Sequence, residues 1–229
     1  VFEKLKAARD GGKRGADLIK QLLTFARREE LEVGTVDPAK VIATLQPLLR
    51  RALGARITLE TTLQEHVGTV RASVAQLESV IVNLAVNARD AIEGKGRVSI
   101  ELESIDLQDH EAPLRGLARG GRYVVVRMRD TGSGIPAHQL SRVFEPFFST
   151  KRDRGGTGLG LSMVRWFAEQ SQGSATIESV VERGTTVTLL LPRLAEPAIE
   201  TSERTMPLST LPTGDERVVV LALDEALRA

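Results

Sequence analysis

The run Tyr123-Val124-Val125-Val126-Arg127-Met128-Arg129, closed by Asp130-Thr131-Gly132-Ser133-Gly134-Ile135-Pro136, constrains this chain more than any other stretch. A short apolar run bounded by turn formers reads as a strand, and alternation puts Val124, Val126, Met128 and Asp130 on one face. Three apolar neighbours predict that the carboxylate points inward. A charge in such a place costs on the order of several kcal/mol unless a donor meets it. The two glycines remove Cβ atoms where a flat ligand could approach the backbone. Taken alone, the same residues also fit a strand ending in a plain Asx turn.

The chain has 229 residues, 31 basic and 30 acidic side chains and a formal charge of +1. That length holds one substantial domain and a smaller element. A near-neutral balance gives no field that would draw the chain to nucleic acid or to a membrane surface. Cysteine is absent, which excludes disulfides, thiol nucleophiles and cysteine metal sites. No apolar run approaches the roughly 20 residues of a bilayer span, and no signal-peptide pattern opens the chain. Beginning at Val1-Phe2-Glu3 inside a helical pattern, it reads as a piece of a longer protein.

Periodicity divides the chain further. In the first thirty-one residues Ala16, Ile19, Leu22, Leu23, Ala26 and Arg27 recur at helical spacing, after a break at Gly11-Gly12. One such stripe needs a partner, in a hairpin or a dimer. A strand is expected over 32–36, and then Asp37-Pro38 opens a helix to about Leu53. Short strands follow at 57–62 and 67–71. Ser73 is expected to cap a helix from about Val74 to Glu93, ended by Gly94. Strands at 97–107 and 123–129, a long mobile connection over 132–156, a helix over 158–172, and strands at 174–180 and 185–191 complete the pattern. The expected fold is a two-layer α/β sandwich with a mixed sheet and helices on one face. A Pro- and Ser-rich linker covers 195–214, and 215–229 reads as the first strand of a truncated further domain.

Three more stretches carry chemistry. On the second helix Leu77, Val80, Ile81, Leu84, Ala88, Ala91 and Ile92 form the core stripe, while Asn83, Asn87 and Asp90 lie at i, i+4 and i+7 on another face. Asparagine is a poor interior helix former, so two in register imply a ligand for their amides. An amide oxygen suits Mg²⁺, which takes few protein oxygens and completes its shell with phosphate and water; the plainer alternative is a solvated polar face. Phe144-Glu145-Pro146-Phe147-Phe148 puts three aromatics in a polar connection, followed by Lys151, Arg152 and Arg154. Gly155-Gly156-Thr157-Gly158-Leu159-Gly160-Leu161-Ser162 opens the next helix with backbone N–H groups available to an anion. It is neither a Walker A loop nor a Rossmann turn.

In this order, Asn-x-x-x-Asn, Asp-x-Gly-x-Gly-Ile-Pro, Phe-x-x-Phe-Phe and Gly-x-Gly-x-Gly resemble the catalytic ATP-binding domain of sensor histidine kinases, in the superfamily shared with gyrase, Hsp90 and MutL. The resemblance runs over about 35–193, and a catalytic domain is expected over 32–194. The segment 1–31 resembles the second helix of that family's dimerisation and phosphoacceptor hairpin. The resemblance implies ATP and Mg²⁺ as cofactors, a homodimer, a response regulator or receiver domain as partner, and a cytoplasmic location with membrane anchoring of the full-length protein left open; neither nucleic acid nor membrane contact is expected of this segment. It implies that Asp130 accepts from the adenine amino group, with Gly132 and Gly134 allowing close approach and Ile135 beside them. Asn87 would hold Mg²⁺, with Asn83 and Asp90 supporting metal and phosphates. Phe144, Phe147 and Phe148 would anchor a lid from which Lys151 approaches the phosphates. Gly156, Thr157, Gly158, Leu159 and Gly160 would close over the phosphate chain, and Thr186 would hold the adenine side through its hydroxyl.

The family's nucleophile is a histidine on the first hairpin helix. This chain has only His66, His110 and His138, and none falls on such a helix, so the acceptor is expected upstream of Val1. Two other readings remain: an ATP-hydrolysing clamp of the same superfamily, or an adaptor with a degenerate kinase fold. The clamp enzymes activate water with a glutamate where Asn83 stands here, and a neutral amide takes no proton. The tail, Asp215 to Arg228, resembles the opening of a receiver domain as in hybrid kinases, with Ala222-Leu223 or Asp224-Glu225 at the acidic pair depending on register.

Overall fold

The computed structural model describes residues 32–149 and 157–195. Among the described residues there are seven strands: β1 (Gly34–Val36), β2 (Ile57–Leu63), β3 (Val70–Ala72), β4 (Gly96–Leu107), β5 (Gly121–Asp130), β6 (Ser174–Val180) and β7 (Gly184–Pro192). The helices are α1 (Pro38–Leu53), α2 (Val74–Ala91), the single turn α3 (Ala137–Leu140) and α4 (Gly160–Gln170). A five-stranded sheet has the order β2-β4-β5-β7-β6, and β1 and β3 form a separate antiparallel pair. Only β2 and β4 run parallel among the five strands; the other pairs are antiparallel. The two-layer mixed α/β fold expected from periodicity is the fold observed.

Helix α1 starts where Asp37 and Pro38 predict. The Asp37 carboxylate accepts from Ala39 N at 3.0 Å and Lys40 N at 3.4 Å, answering two first-turn donors that lack partners within the helix. Asp37→Ala is therefore expected to lower stability by about 1 kcal/mol, read from urea unfolding; an unchanged midpoint would deny the cap its role. Ser73 occupies the N-cap of α2 in extended backbone but makes no side-chain cap bond, so its expected capping role does not hold. The helix also stops earlier than expected, with Ile92 already extended and Gly94 at φ +90° two residues on.

The main core lies between the helices and one face of the sheet. Ile42 and Leu49 of α1, Leu77 and Ile81 of α2, and Val164 and Phe167 of α4 meet Ile100, Val124, Val126 and Leu189. Valines at both parities of β5 are buried, because the opposite face is also partly covered. There Tyr123, Val125 and Leu190 pack with Leu107, Ala112 and Leu117. The connection after β4 folds back over that end, tied by Tyr123 Oη to Arg119 O at 2.8 Å and Ser174 Oγ to Arg115 O at 2.7 Å. Further along this face Arg127 forks between Glu101 at 3.0 Å and Glu103 at 2.9 Å. These two carboxylates outweigh the desolvation of the guanidinium, and its pKa is raised.

The described part of the connection after β5 is a chain of turns rather than an open loop. Backbone bonds link Gln139 N to Pro136 O, Arg142 N to Gln139 O and Glu145 N to Arg142 O, each at 2.9 Å. The expectations for 1–31, for 215–229 and, but for Ala195, for the linker at 195–214 fall outside the described residues.

Candidate functional site

A cavity of about 330 Å³ opens between α2, the ends of β5 and β7, and the start of α4, and is lined by Asn83, Asn87, Asp90 and Asp130 together. Strand parity delivers Asp130. It follows Val124, Val126 and Met128 on the core face and is only 7% exposed. Its Oδ1 accepts from Gly132 N at 2.7 Å and from Thr185 N at 3.3 Å. Two backbone donors on one carboxylate oxygen hold the side chain in a fixed orientation at the cavity floor.

Helical spacing delivers the asparagines. The turn-by-turn register of α2 puts Asn83, Asn87 and Asp90 on the cavity wall with the buried Leu84 beside them, while Leu77 and Ile81 stay in the core. Asp90 also takes Arg89 Nε at 2.9 Å and Nη2 at 2.7 Å on its Oδ1. Across from them, Thr157, Gly158, Gly160 and Leu161 form the rim. First-turn N–H groups of α4 have no intrahelical acceptor, so this side of the cavity favours an anion. Gly160 brings α4 against α2: a Cβ there would lie 3.2 Å from Asn87 Nδ2.

The glycines at the end of β5 are required by packing within the protein itself. A Cβ on Gly132 would meet Ala91 Cβ and O at 2.7 Å, and one on Gly134 would run into the carbonyl of Val180. They allow backbone to touch backbone, seating the loop between α2 and the β6–β7 turn. Gly134 also lines the cavity. Gly158 likewise faces Phe147, at 2.5 Å from its carbonyl carbon to an added Cβ. The two residues have φ of +71° and +65°, and Phe147 N donates to Gly158 O at 3.0 Å.

Of the three phenylalanines, only Phe148 lines the cavity, under Arg142 at 4.7 Å from its ring centre. Phe144 is half-buried beneath Arg165, and Phe147 is 52% exposed. The buried apolar anchor of this segment is Val143, 5% exposed and on the cavity wall. Its signal was a single valine before the more conspicuous Phe144, too weak to find. Leu159 is buried away from the cavity lining, and Ile135 lines it. Lys151 and Gly156 lie outside the described residues.

Thr186 is corrected by one position. It pairs with Arg129, whose parity is opposite to that of Asp130, so its side chain leaves the cavity. Thr185 lines the cavity instead, with its hydroxyl 2.9 Å from Ser179 Oγ. His66, His110 and His138 are all exposed and none lines the cavity.

Among the described residues, no group of three or more His, Asp or Glu side chains could hold a metal by itself. The donor set does fit Mg²⁺ in its usual mode, one or two protein oxygens with phosphate and water completing the shell. Asn87 and Asn83 supply hard amide oxygens on the wall beside the anion-favouring rim. No lysine or arginine lines the cavity among the described residues.

A buried carboxylate at a strand end, facing an asparagine-bearing helix and a glycine-rich helix start, defines a class of nucleotide-dependent ATPase and kinase domains. The chain belongs to the histidine kinase-, DNA gyrase B- and HSP90-like ATPase family, whose model matches residues 72–195. Its relatives within that family are sensor kinases. Sensor kinase CckA of Brucella abortus (strain 2308) is 37% identical over 234 residues, covering 99% of this chain and 25% of that protein. Sensor histidine kinase ZraS of Salmonella typhimurium (strain LT2) is 30% identical over 179 residues, covering 78% of this chain and 35% of its own length. The chain thus spans a quarter to about a third of these relatives. The solved mycobacterial sensor histidine kinase MprB superposes with a TM-score of 0.57 at 25% identity, over 71% of this chain and 99% of that one. The full-length ShkA structure in complex with AMPPNP gives 0.62 at 24% identity, over 86% of this chain and 40% of that one, and supports the fold.

Proposed function

We propose that the cavity binds ATP with Mg²⁺ and presents its γ-phosphoryl group to a protein histidine other than His66, His110 and His138, for relay to a response-regulator aspartate. The observation that carries this is that Asp130 and Asn87 line one cavity from opposite elements. Asp130, held by two backbone N–H groups, accepts from the amino edge of adenine, and Met128, Ile177 and Val187 give the base an apolar wall. The phosphates run toward the start of α4, where the helix terminus favours negative charge. When bound, Mg²⁺ neutralises charge on the phosphates and fixes their geometry, held by the Asn87 amide oxygen with Asn83 and Asp90 near it.

Hydrolysis is disfavoured by what lines the cavity. Its only carboxylates among the described residues are Asp130, committed to backbone donors, and Asp90, bonded to Arg89. Asn83 cannot take a proton from water. Phosphoryl transfer needs little general-base help when donor and acceptor are well placed, so the site suits transfer better than water attack. Function as part of a cytoplasmic homodimer follows the same reading.

Titration with Mg·ATP, followed by steady-state turnover, separates the readings: binding with negligible turnover supports the kinase. Fast turnover would favour a clamp, and absent binding an adaptor. Asn87→Ala is expected to remove most of the Mg²⁺-dependent part of ATP affinity, roughly tenfold or more. An unchanged metal dependence would remove Asn87 from the site.

A further inference from the structure

We propose that Ser179 is a positioning residue that determines which nucleobase the cavity accepts, an assignment that rests on reading the cavity as a nucleotide site. Ser179 lies on β6, outside the cavity lining. Its single hydroxyl joins three segments. It accepts from Ile135 N at 2.8 Å, donates to Gly184 O at 2.9 Å, and lies 2.9 Å from Thr185 Oγ1. A carbonyl can only accept, so the Ser179 proton goes to Gly184, and Thr185 must supply the proton of the third bond. One donor and two lone pairs are then fully used.

Both groups held this way are on the cavity wall. Ile135 and Thr185 line it together with Asp130, and Thr185 N is one of the two donors to the Asp130 carboxylate. The carboxylate by itself does not select a base. Adenine offers it an amino group, and guanine offers an N–H and an amino group on the same edge of the ring. The two purines reach an acceptor in different registers, so selection falls to the walls beside it. Ser179 sets the spacing of those walls.

The side chains beyond it face solvent, with Val180 and Val181 exposed at 58% and 49%. A separate bond, Glu182 N to Ser133 O at 2.8 Å, ties the other end of the loop. Loss of the hydroxyl therefore loosens Ile135 and Thr185 without detaching the loop.

The test is calorimetric titration of the 229-residue chain with Mg·ATP and with Mg·GTP. The wild type is expected to prefer ATP. Ser179→Ala is expected to shrink the ATP-to-GTP affinity ratio by roughly tenfold, the worth of about one buried hydrogen bond, with the Mg²⁺ dependence of ATP binding retained. Ser179→Thr, which keeps the hydroxyl, should restore the ratio. Should Ser179→Ala fail to fold, Ser179→Cys carries the same test, because a thiol keeps the volume but bonds weakly. An unchanged ratio, or equal losses for both nucleotides, overturns the assignment. A wild type that binds neither nucleotide overturns the reading of the cavity, and the assignment with it.

Discussion

Asp130→Asn is expected to lower ATP affinity by about a hundredfold while leaving the fold intact. The asparagine keeps one oxygen, and Gly132 N and Thr185 N already claim the position it occupies. Its NH₂ then stands where the second carboxylate oxygen was, presenting a donor to the amino group of adenine. Hydrogen bonds to a charged partner are worth about 1.5–3 kcal/mol, which corresponds to roughly ten- to a hundredfold, and a donor opposing a donor adds to the loss. The fold should survive because side-chain volume and both backbone bonds are retained. Circular dichroism and thermal melting provide the control. Full ATP affinity in a folded Asp130→Asn protein would remove the carboxylate from base recognition.

Gly184→Ala should be among the most destabilising single changes in the chain. Gly184 has φ +104°, and a Cβ there would be driven into the carbonyl of Asp130, with Thr131 Cα at 3.1 Å. Two independent costs coincide. Left-handed backbone with a side chain costs about 1–2 kcal/mol, and forced overpacking costs about 1–3 kcal/mol. Together they remove about 3 kcal/mol or more from a total stability of about 5–15 kcal/mol, lowering Tm by roughly 10 °C for a chain of this size. Gly94→Ala is the control: φ is +90°, but nothing lies within 4 Å of the added carbon, so only the backbone cost applies. Equal melting points for the two variants would show that the contact with Asp130 is not tight. Because Thr185 follows directly and donates to Asp130, Gly184→Ala should also weaken ATP binding below its melting range.

Much of the site was legible because its signals are local. Parity along β5 needs only consecutive residues, so Asp130 could be assigned to the face of Val124, Val126 and Met128 before any partner strand was known. The spacing of Asn83, Asn87 and Asp90 on α2 is equally local, and so is the start of α1 at Asp37-Pro38. The structure brings these groups to one cavity wall and floor.

Local signals failed where a residue's partner is distant in sequence. Thr185 and Thr186 are neighbours of one type, and only the pairing of Thr186 with Arg129 decides which faces the cavity. Gly132 and Gly134 could be marked as places where something approaches closely, but not that Ala91 and Val180 are what approach. Ser179 carried no motif, and its role arises from contacts reaching back to Ile135. The second apolar cluster behind the sheet was hidden for the same reason, since Tyr123 and Val125 pack against the returning segment after β4.

By itself, then, the order of residues determined the helices and strands, the inward carboxylate and the asparagine face, since each depends on periodicity within one element. The tertiary structure alone decided the strand order, the parallel pairing of β2 with β4, the choice of Thr185 and the tie through Ser179. Those depend on which separate segments pack together, and that is settled by the burial of the whole core at once.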